Sequence, residues 1–120
     1  IDIIKGIAEQ LPFPKEYFDI VFCSNVLDHV TNPERTVKEI YRVLKMKGYF
    51  ILTVELFKEK TKRNPAHPSS LTEKDVFSLL QDKWHTEFMK QSPAIGIKNY
   101  VNNINEPVNN ELILILKKIK

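Results

Sequence analysis

The sequence predicts an α/β fold built on a largely parallel sheet, and three observations carry that expectation. Phe18–Ser24 and residues 49–54 are two runs of nearly continuous apolar character. That pattern belongs to strands covered on both faces rather than one. Between them lies a segment with helical periodicity and clear start and stop signals. Strand, helix and strand in that order make a βαβ unit with a right-handed crossover.

The elements follow in order. Residues 1–5, IDIIK, read as a short strand. GIAEQLPFPKEY is a connection, with Pro12 and Pro14 blocking regular structure on either side of Phe13. FDIVFCS is the first βαβ strand. Asn32 is an N-cap, and Pro33 takes the first helical position, where its missing N–H does no harm. Val37, Ile40, Tyr41 and Leu44 form the apolar stripe. Lys45 and Lys47 sit at the negative end of the helix, and Gly48 is expected to terminate it. A second helix starts at Thr72, which pairs with Asp75 as a capping box, while Leu71 and Val76 are spaced as a hydrophobic staple. Val76, Phe77, Leu79 and Leu80 are its expected buried face. Residues 85–89 are a weaker strand, NNINEPVNN a polar loop, and ELILILKK a last strand buried on both faces. No internal repeat or interdomain linker is visible, so residues 1–120 are expected to form a single domain.

Composition narrows the classes. With 120 residues, 42% hydrophobic and 28% charged, the chain suits one core. No stretch approaches the ~18 apolar residues of a membrane span. The single cysteine, Cys23, lies in an apolar run and reads as a buried thiol. Without a second cysteine there is no internal disulfide, and a cytoplasmic location is expected. Net charge is +3; residues 1–60 hold nine basic and nine acidic side chains, residues 61–120 nine and six. The one dense run, KEKTKR at 58–63, reads as a solvated loop or an anion-attracting rim. A nucleic-acid face would need more positive charge with interleaved aromatics. The chain opens at Ile1 inside an apolar segment, which suggests a fragment or processed product of something longer.

Polar groups gather where the architecture puts ligands, beyond the carboxyl ends of parallel strands. Ser24, Asn25, Asp28 and His29 follow the first βαβ strand, and Glu55 follows the second. Each has a plainer explanation. Ser24 and Asn25 could simply end a strand. Asp28 could serve a helix dipole, and His29 could be a packed histidine. No metal is expected, since His29, His67 and His85 share no ligand spacing. Ser24 lacks the glycines of a nucleophile elbow.

As a set, these motifs resemble class I S-adenosylmethionine-dependent methyltransferases, most closely the type-11 group. The similar features are the A-E-x-L-P-F loop, the F-D-I-V strand, the L-D-H-V turn, the E-I-Y-R-V-L helix and the glycine before the next strand, together covering residues 6–55. The tail is similar more loosely. The resemblance implies a Rossmann-like sheet, mostly parallel, with an antiparallel last strand inserted between two others. It also implies that residues 1–5 match the third of seven strands. The glycine-rich loop and ribose-binding acid of the first two strands find no counterpart, because only Gly6, Gly48 and Gly96 occur, none in a G-x-G pattern.

Carried over residue by residue, the resemblance puts Ile7, Ala8, Glu9, Ser24 and Asn25 at the cofactor, and Asp28 and His29 as the catalytic pair facing the methyl acceptor. Ile7 stands where the family has an acid that accepts a hydrogen bond from the adenine amino group, a loss of about 1 kcal/mol of affinity. Met46-Lys47-Gly48 replaces the usual proline-glycine-glycine turn.

The implied activity is methyl transfer from S-adenosylmethionine to an unidentified acceptor. A small molecule is favoured, contacted by residues 57–70 including His67. The isolated chain is expected to bind the cofactor poorly or not at all. The competing reading is a non-catalytic binding or dimerisation module. A third, nucleic-acid binding through residues 58–63, would show a steep salt dependence. With its neighbour missing, Phe18–Ser24 becomes an apolar edge. It is expected to be covered by residues 1–5 folding back or by another copy in a homo-oligomer.

Overall fold

A computed structural model describes residues 1–57, 71–93 and 110–120. The basic run 58–63, His67, Gly96 and residues 102–109 of the polar loop lie outside the described residues. The described elements are β1 (Phe18–Ser24), α1 (Pro33–Val43), β2 (Leu44–Leu56), α2 (Glu73–Leu80), β3 (Trp84–Pro93) and β4 (Asn110–Lys118).

They form a four-stranded sheet in the order β1-β2-β4-β3. β1 pairs parallel with β2, matching Val21 to Phe50, Cys23 to Leu52 and Ser24 to Thr53. β4 is antiparallel to both β2 and β3. Three strands therefore run one way, and β4 is inserted against them. This is the mostly parallel α/β sheet with an antiparallel C-terminal strand that the sequence predicts.

Local signals place the helices as read. Asn32 Oδ1 accepts from Arg35 N–H at 3.0 Å, with Pro33 inside the first turn. Thr72 and Asp75 close a reciprocal capping box at 3.2 and 3.0 Å. Each such cap stabilises its helix by about 1 kcal/mol. Val37, Ile40, Val76 and Leu80 join one core cluster with Cys23, Phe50, Leu52, Val54, Leu112, Leu114 and Leu116. Alternate residues of β1, β2 and β4 supply it, so both helices cover the same face of the sheet.

That arrangement corrects several expectations. Residues 1–5 form no strand; Ile1, Ile3 and Ile4 are exposed, and among the described residues no strand pairs with the outer edge of β1. A strand needs a hydrogen-bonding neighbour, and among the described residues this segment has none. β1 and β4 are covered on one face only, leaving Ile20 and Phe22 exposed and Ile113 and Ile115 half-buried. Phe77 is likewise exposed.

Gly48 does not terminate α1. The helix ends at Val43, and β2 starts at once. Gly48 lies in β2 within a register jump from Phe18–Leu44 to Ile20–Tyr49. A Cβ there would fall 2.8 Å from the carbonyl oxygens of Asp19 and Lys45, so glycine is required for close approach of the backbones. Lys47, at φ 65°, takes the left-handed position.

The end of α1 is held instead from far along the chain. Lys118 Nζ is buried and donates to the carbonyls of Tyr41 at 2.8 Å and Leu44 at 2.6 Å, over the Tyr41 ring. Burial pushes its ammonium below the usual lysine range. Lys45 instead meets Asp19 at 3.4 Å.

Candidate functional site

The candidate site sits where β1 and β2 end. Thr53 joins the two strands there: its Oγ1 donates to Ser24 Oγ at 3.1 Å, and its carbonyl accepts from Asn25 N–H at 2.9 Å. Asn25 adopts φ 51°, a left-handed conformation that asparagine tolerates better than most residues. The chain thereby leaves the strand sharply, with both Ser24 and Asn25 exposed.

The following turn alternates between core and solvent. Leu27, Asp28 and Val30 are buried, while His29 faces outward. His29 N–H donates to the Val26 carbonyl at 2.8 Å. The Asp28 side chain is 2% exposed and that of His29 43%, with His29 Nε2 lying 3.7 Å from Asp28 Oδ1. An anchored carboxylate beside an accessible imidazole can orient the ring and stabilise it when it takes up a proton. Burial pushes the Cys23 thiol up, and the Asp28 carboxylate adds to that. Cys23 is thus an inert core thiol rather than a nucleophile.

A second wall comes from the loop preceding β1. Glu9 turns its carboxylate to the start of α1, accepting from the N–H groups of Thr31 at 3.1 Å and Asn32 at 3.3 Å. Its carbonyl accepts from Arg35 Nε at 3.0 Å. The Glu9 side chain therefore fastens this loop beside the Asp28–His29 turn.

Ile7 is 62% exposed and closes a tight turn with Gln10. With Ala8, Ile4, Leu11 and Phe13 it lines an open cleft of about 380 Å³. On the far side of β2, a second cleft of about 540 Å³ is bounded by Leu56, Phe57, Thr72, Phe77 and Gln91. Among the described residues, no group of three or more His, Cys, Asp or Glu side chains could hold a metal ion.

Three further residues position this region. Glu39 accepts from Leu11 N–H at 2.8 Å and pairs with Arg42, whose guanidinium also donates to the carbonyls of Phe13 at 2.7 Å and Leu11 at 3.1 Å. Hydrogen bonding from Arg42 holds the Glu39 carboxyl below its usual range. Thr53 is the third. Glu39 and Arg42 stand three apart on the E-I-Y-R-V-L helix, a spacing that puts both on one face; Thr53 has no local signal.

Residues 1–52 match the family described as "Methyltransferase domain". YcgJ of Bacillus subtilis, described as an uncharacterized methyltransferase, is 44% identical over 48 residues, 40% of this chain and 19% of YcgJ. The ubiquinone/menaquinone biosynthesis C-methyltransferase UbiE of Vibrio vulnificus is 36% identical over 52 residues, 43% of this chain and 20% of UbiE. These matched stretches span about a fifth of each relative. The fold likeness reaches further. The crystal structure of YcgJ superimposes with a TM-score of 0.70 at 18% identity, covering 96% of this chain and 70% of YcgJ. That of the [4+2]-cyclase SpnF gives 0.72 at 19% identity, covering 95% and 54%.

Proposed function

We propose, from the premise that residues 1–52 carry the methyltransferase-domain signature on a class I methyltransferase sheet, that this chain supplies one wall of an S-adenosylmethionine and acceptor cleft in methyl transfer. The observation that carries the reading is the meeting of two polar segments at the carboxyl end of β1. Ser24 and Asn25 stand exposed beside Thr53, and Glu9 fastens the 7–10 loop next to the Asp28–His29 turn.

The residues fit the cofactor unevenly. The Ser24 hydroxyl and Asn25 amide suit its charged amino-acid end, since both are exposed hydrogen-bonding groups. On the adenine side Ile7 offers only apolar contact, and the Glu9 carboxylate is engaged by α1. Backbone groups of Ala8 and Glu9 are left to supply that contact.

S-adenosylmethionine supplies an electrophilic sulfonium methyl group. The chain's own contribution is to orient an acceptor and receive its proton. His29 does so at Nδ1, while its Nε2, 3.7 Å from Asp28 Oδ1, faces the carboxylate that stabilises the imidazolium. Positioning and exclusion of water provide most of the acceleration. A small-molecule acceptor is favoured, seated toward the cleft formed by Phe57 and Phe77. The similarity to UbiE, a ubiquinone/menaquinone biosynthesis C-methyltransferase, is in keeping with such an acceptor. The reading takes residues 1–120 as a single domain, a homo-oligomer in the cytoplasm; among the described residues no helix is long and apolar enough to cross a membrane.

A second reading, a non-catalytic methyltransferase-like module, is favoured by Ile7 and by the likeness to SpnF, a [4+2]-cyclase on the same fold. Calorimetric affinity too low to measure is expected of these 120 residues alone, and micromolar binding would overturn that expectation. A nuclear magnetic resonance titration with millimolar S-adenosylmethionine separates the two readings. Weak shifts confined to Ser24, Asn25 and the 7–10 loop, lost in Asn25→Ala, are expected of the first, and no shift at these residues supports the second.

A further inference from the structure

The groove between α1 and α2 encloses a cavity of about 300 Å³, at the lower end of what small-molecule sites occupy. Leu80 and Trp84, both buried, and Tyr41 and Leu79, both half-buried, supply its apolar surface. Trp84 opens β3 at the end of the sheet opposite Ser24 and Thr53. Among the described residues, none of β1 or of the 7–13 loop lines the groove, so it is a different place from the candidate site.

Its walls are flat and fixed. Tyr41 and Trp84 meet edge to face, with ring centroids 5.7 Å apart and planes at 83°, and Phe50 backs the indole from the core at 5.4 Å. Two perpendicular rings offer a planar body one face to stack on and one edge to meet. The charge is uneven. Lys38 and Lys83 line the groove against a single acid, Glu34, which Lys38 already engages at 3.2 Å. Lys83 forms no ion pair among the described residues. Its ammonium lies 5.0 Å from the Tyr41 ring centroid, and that of Lys118 lies 4.1 Å from the same centroid. One positive charge is thus left over beside an aromatic wall. The turn that carries it is strained: Gln81 takes φ 56° and ψ −152°, a region that glycine enters freely and other residues seldom. Such strain gathers at ligand clamps, and here it sets Lys83 at the rim.

We propose that this groove is a ligand site for a small aromatic carboxylate, separate from the cleft at the ends of β1 and β2 and independent of methyl transfer. The ring lies against Trp84, Tyr41 and Leu79, and the carboxylate meets Lys83. A cavity of this size admits one or two fused rings, whereas a protein partner would need about 800 Å² of contact surface.

Nuclear magnetic resonance titration of the isotope-labelled chain with naphthoate tests it, with neutral naphthalenemethanol as the comparison. Trp84 is the one tryptophan of the chain, so its indole N–H signal is unambiguous. Saturable shifts at that signal and at Leu79 and Lys83 are expected, with a dissociation constant of about 1 mM or below. The alcohol binds about fivefold more weakly, the loss of one partly exposed ion pair. Lys83→Ala weakens naphthoate by the same factor and leaves the alcohol unchanged, while Lys83→Arg retains the preference. No saturable shift at Trp84 would overturn the proposal. So would equal binding of acid and alcohol, naphthoate binding indifferent to Lys83→Ala, or shifts confined to Ser24 and Asn25.

Discussion

Phe22 and Cys23 are adjacent in β1, yet Phe22 is 63% exposed and Cys23 8%. The same contrast runs across the sheet. Leu112, Leu114 and Leu116 of β4 lie in the core under the helices, while Ile113 and Ile115 on the reverse face are only half-buried. Both faces are apolar by composition; what separates them is the presence of α1 and α2. Hydrophobic sequence therefore states what a strand can bury, and the neighbouring layer decides what it does bury. The candidate site follows the covered side. The Asp28–His29 turn is anchored through Leu27, Asp28 and Val30, all buried.

The contrast breaks first if residues on the two faces prove equally important to stability. Leu114→Ala removes a fully buried side chain and should cost about 2–5 kcal/mol. Ile115→Thr, at a dilution where monomer dominates, should change stability by about 0.5 kcal/mol or less. Urea unfolding of the two variants measures both, and equal losses would mean that the reverse face is covered.

The next effect concerns the backbone on which the site rests. Gly48→Ala forces a methyl group toward the Asp19 and Lys45 carbonyls and should cost about 1–3 kcal/mol by the same measurement. An unchanged midpoint would remove the argument for close approach. Thr72→Ala, which deletes one half of the capping box on α2, should cost about 1 kcal/mol. A loss as large as that of Leu114→Ala would show that α2 depends on its cap more than on its packing.

The smallest effect is read from pH. Arg42 holds the Glu39 carboxyl below its usual range, so the unfolded chain binds the proton more readily. The stability this pair provides is present above the ordinary carboxylate pKa and is lost as pH falls through the lowered value. Glu39→Gln should flatten that acid limb of the stability curve. A curve of unchanged shape would place the acid sensitivity elsewhere.

These outcomes also bear on how much could be read before the structure. Features set by near neighbours were legible. The bounds of Phe18–Ser24, the Asn32 cap and the Thr72–Asp75 box each depend on residues within one turn or strand. The parallel β1–β2 pair followed from the strand–helix–strand order, and the inserted antiparallel β4 from the family resemblance. Features set by distant partners were not legible. Lys118 meets α1 from 74 and 77 residues away, and Arg42 meets Phe13 and Leu11 across 29 and 31. Residues 1–5 have strand composition without a strand neighbour, and Gly48 resembles a helix terminator because its real constraint, the Asp19 carbonyl, lies on another strand. At the candidate site, Ser24, Asn25, Asp28 and His29 were visible as residue types at a strand end. The role of Thr53 in joining Ser24 and Asn25 became visible only with the β1–β2 register.

That register is the premise of the whole account, because it alone brings Ser24, Asn25 and Thr53 together at one end of a parallel pair. Nuclear Overhauser contacts in the isotope-labelled chain measure it directly. Backbone contacts linking Val21 to Phe50, Cys23 to Leu52 and Ser24 to Thr53 are predicted. Contacts in an antiparallel or shifted register, or none between these strands, would contradict it.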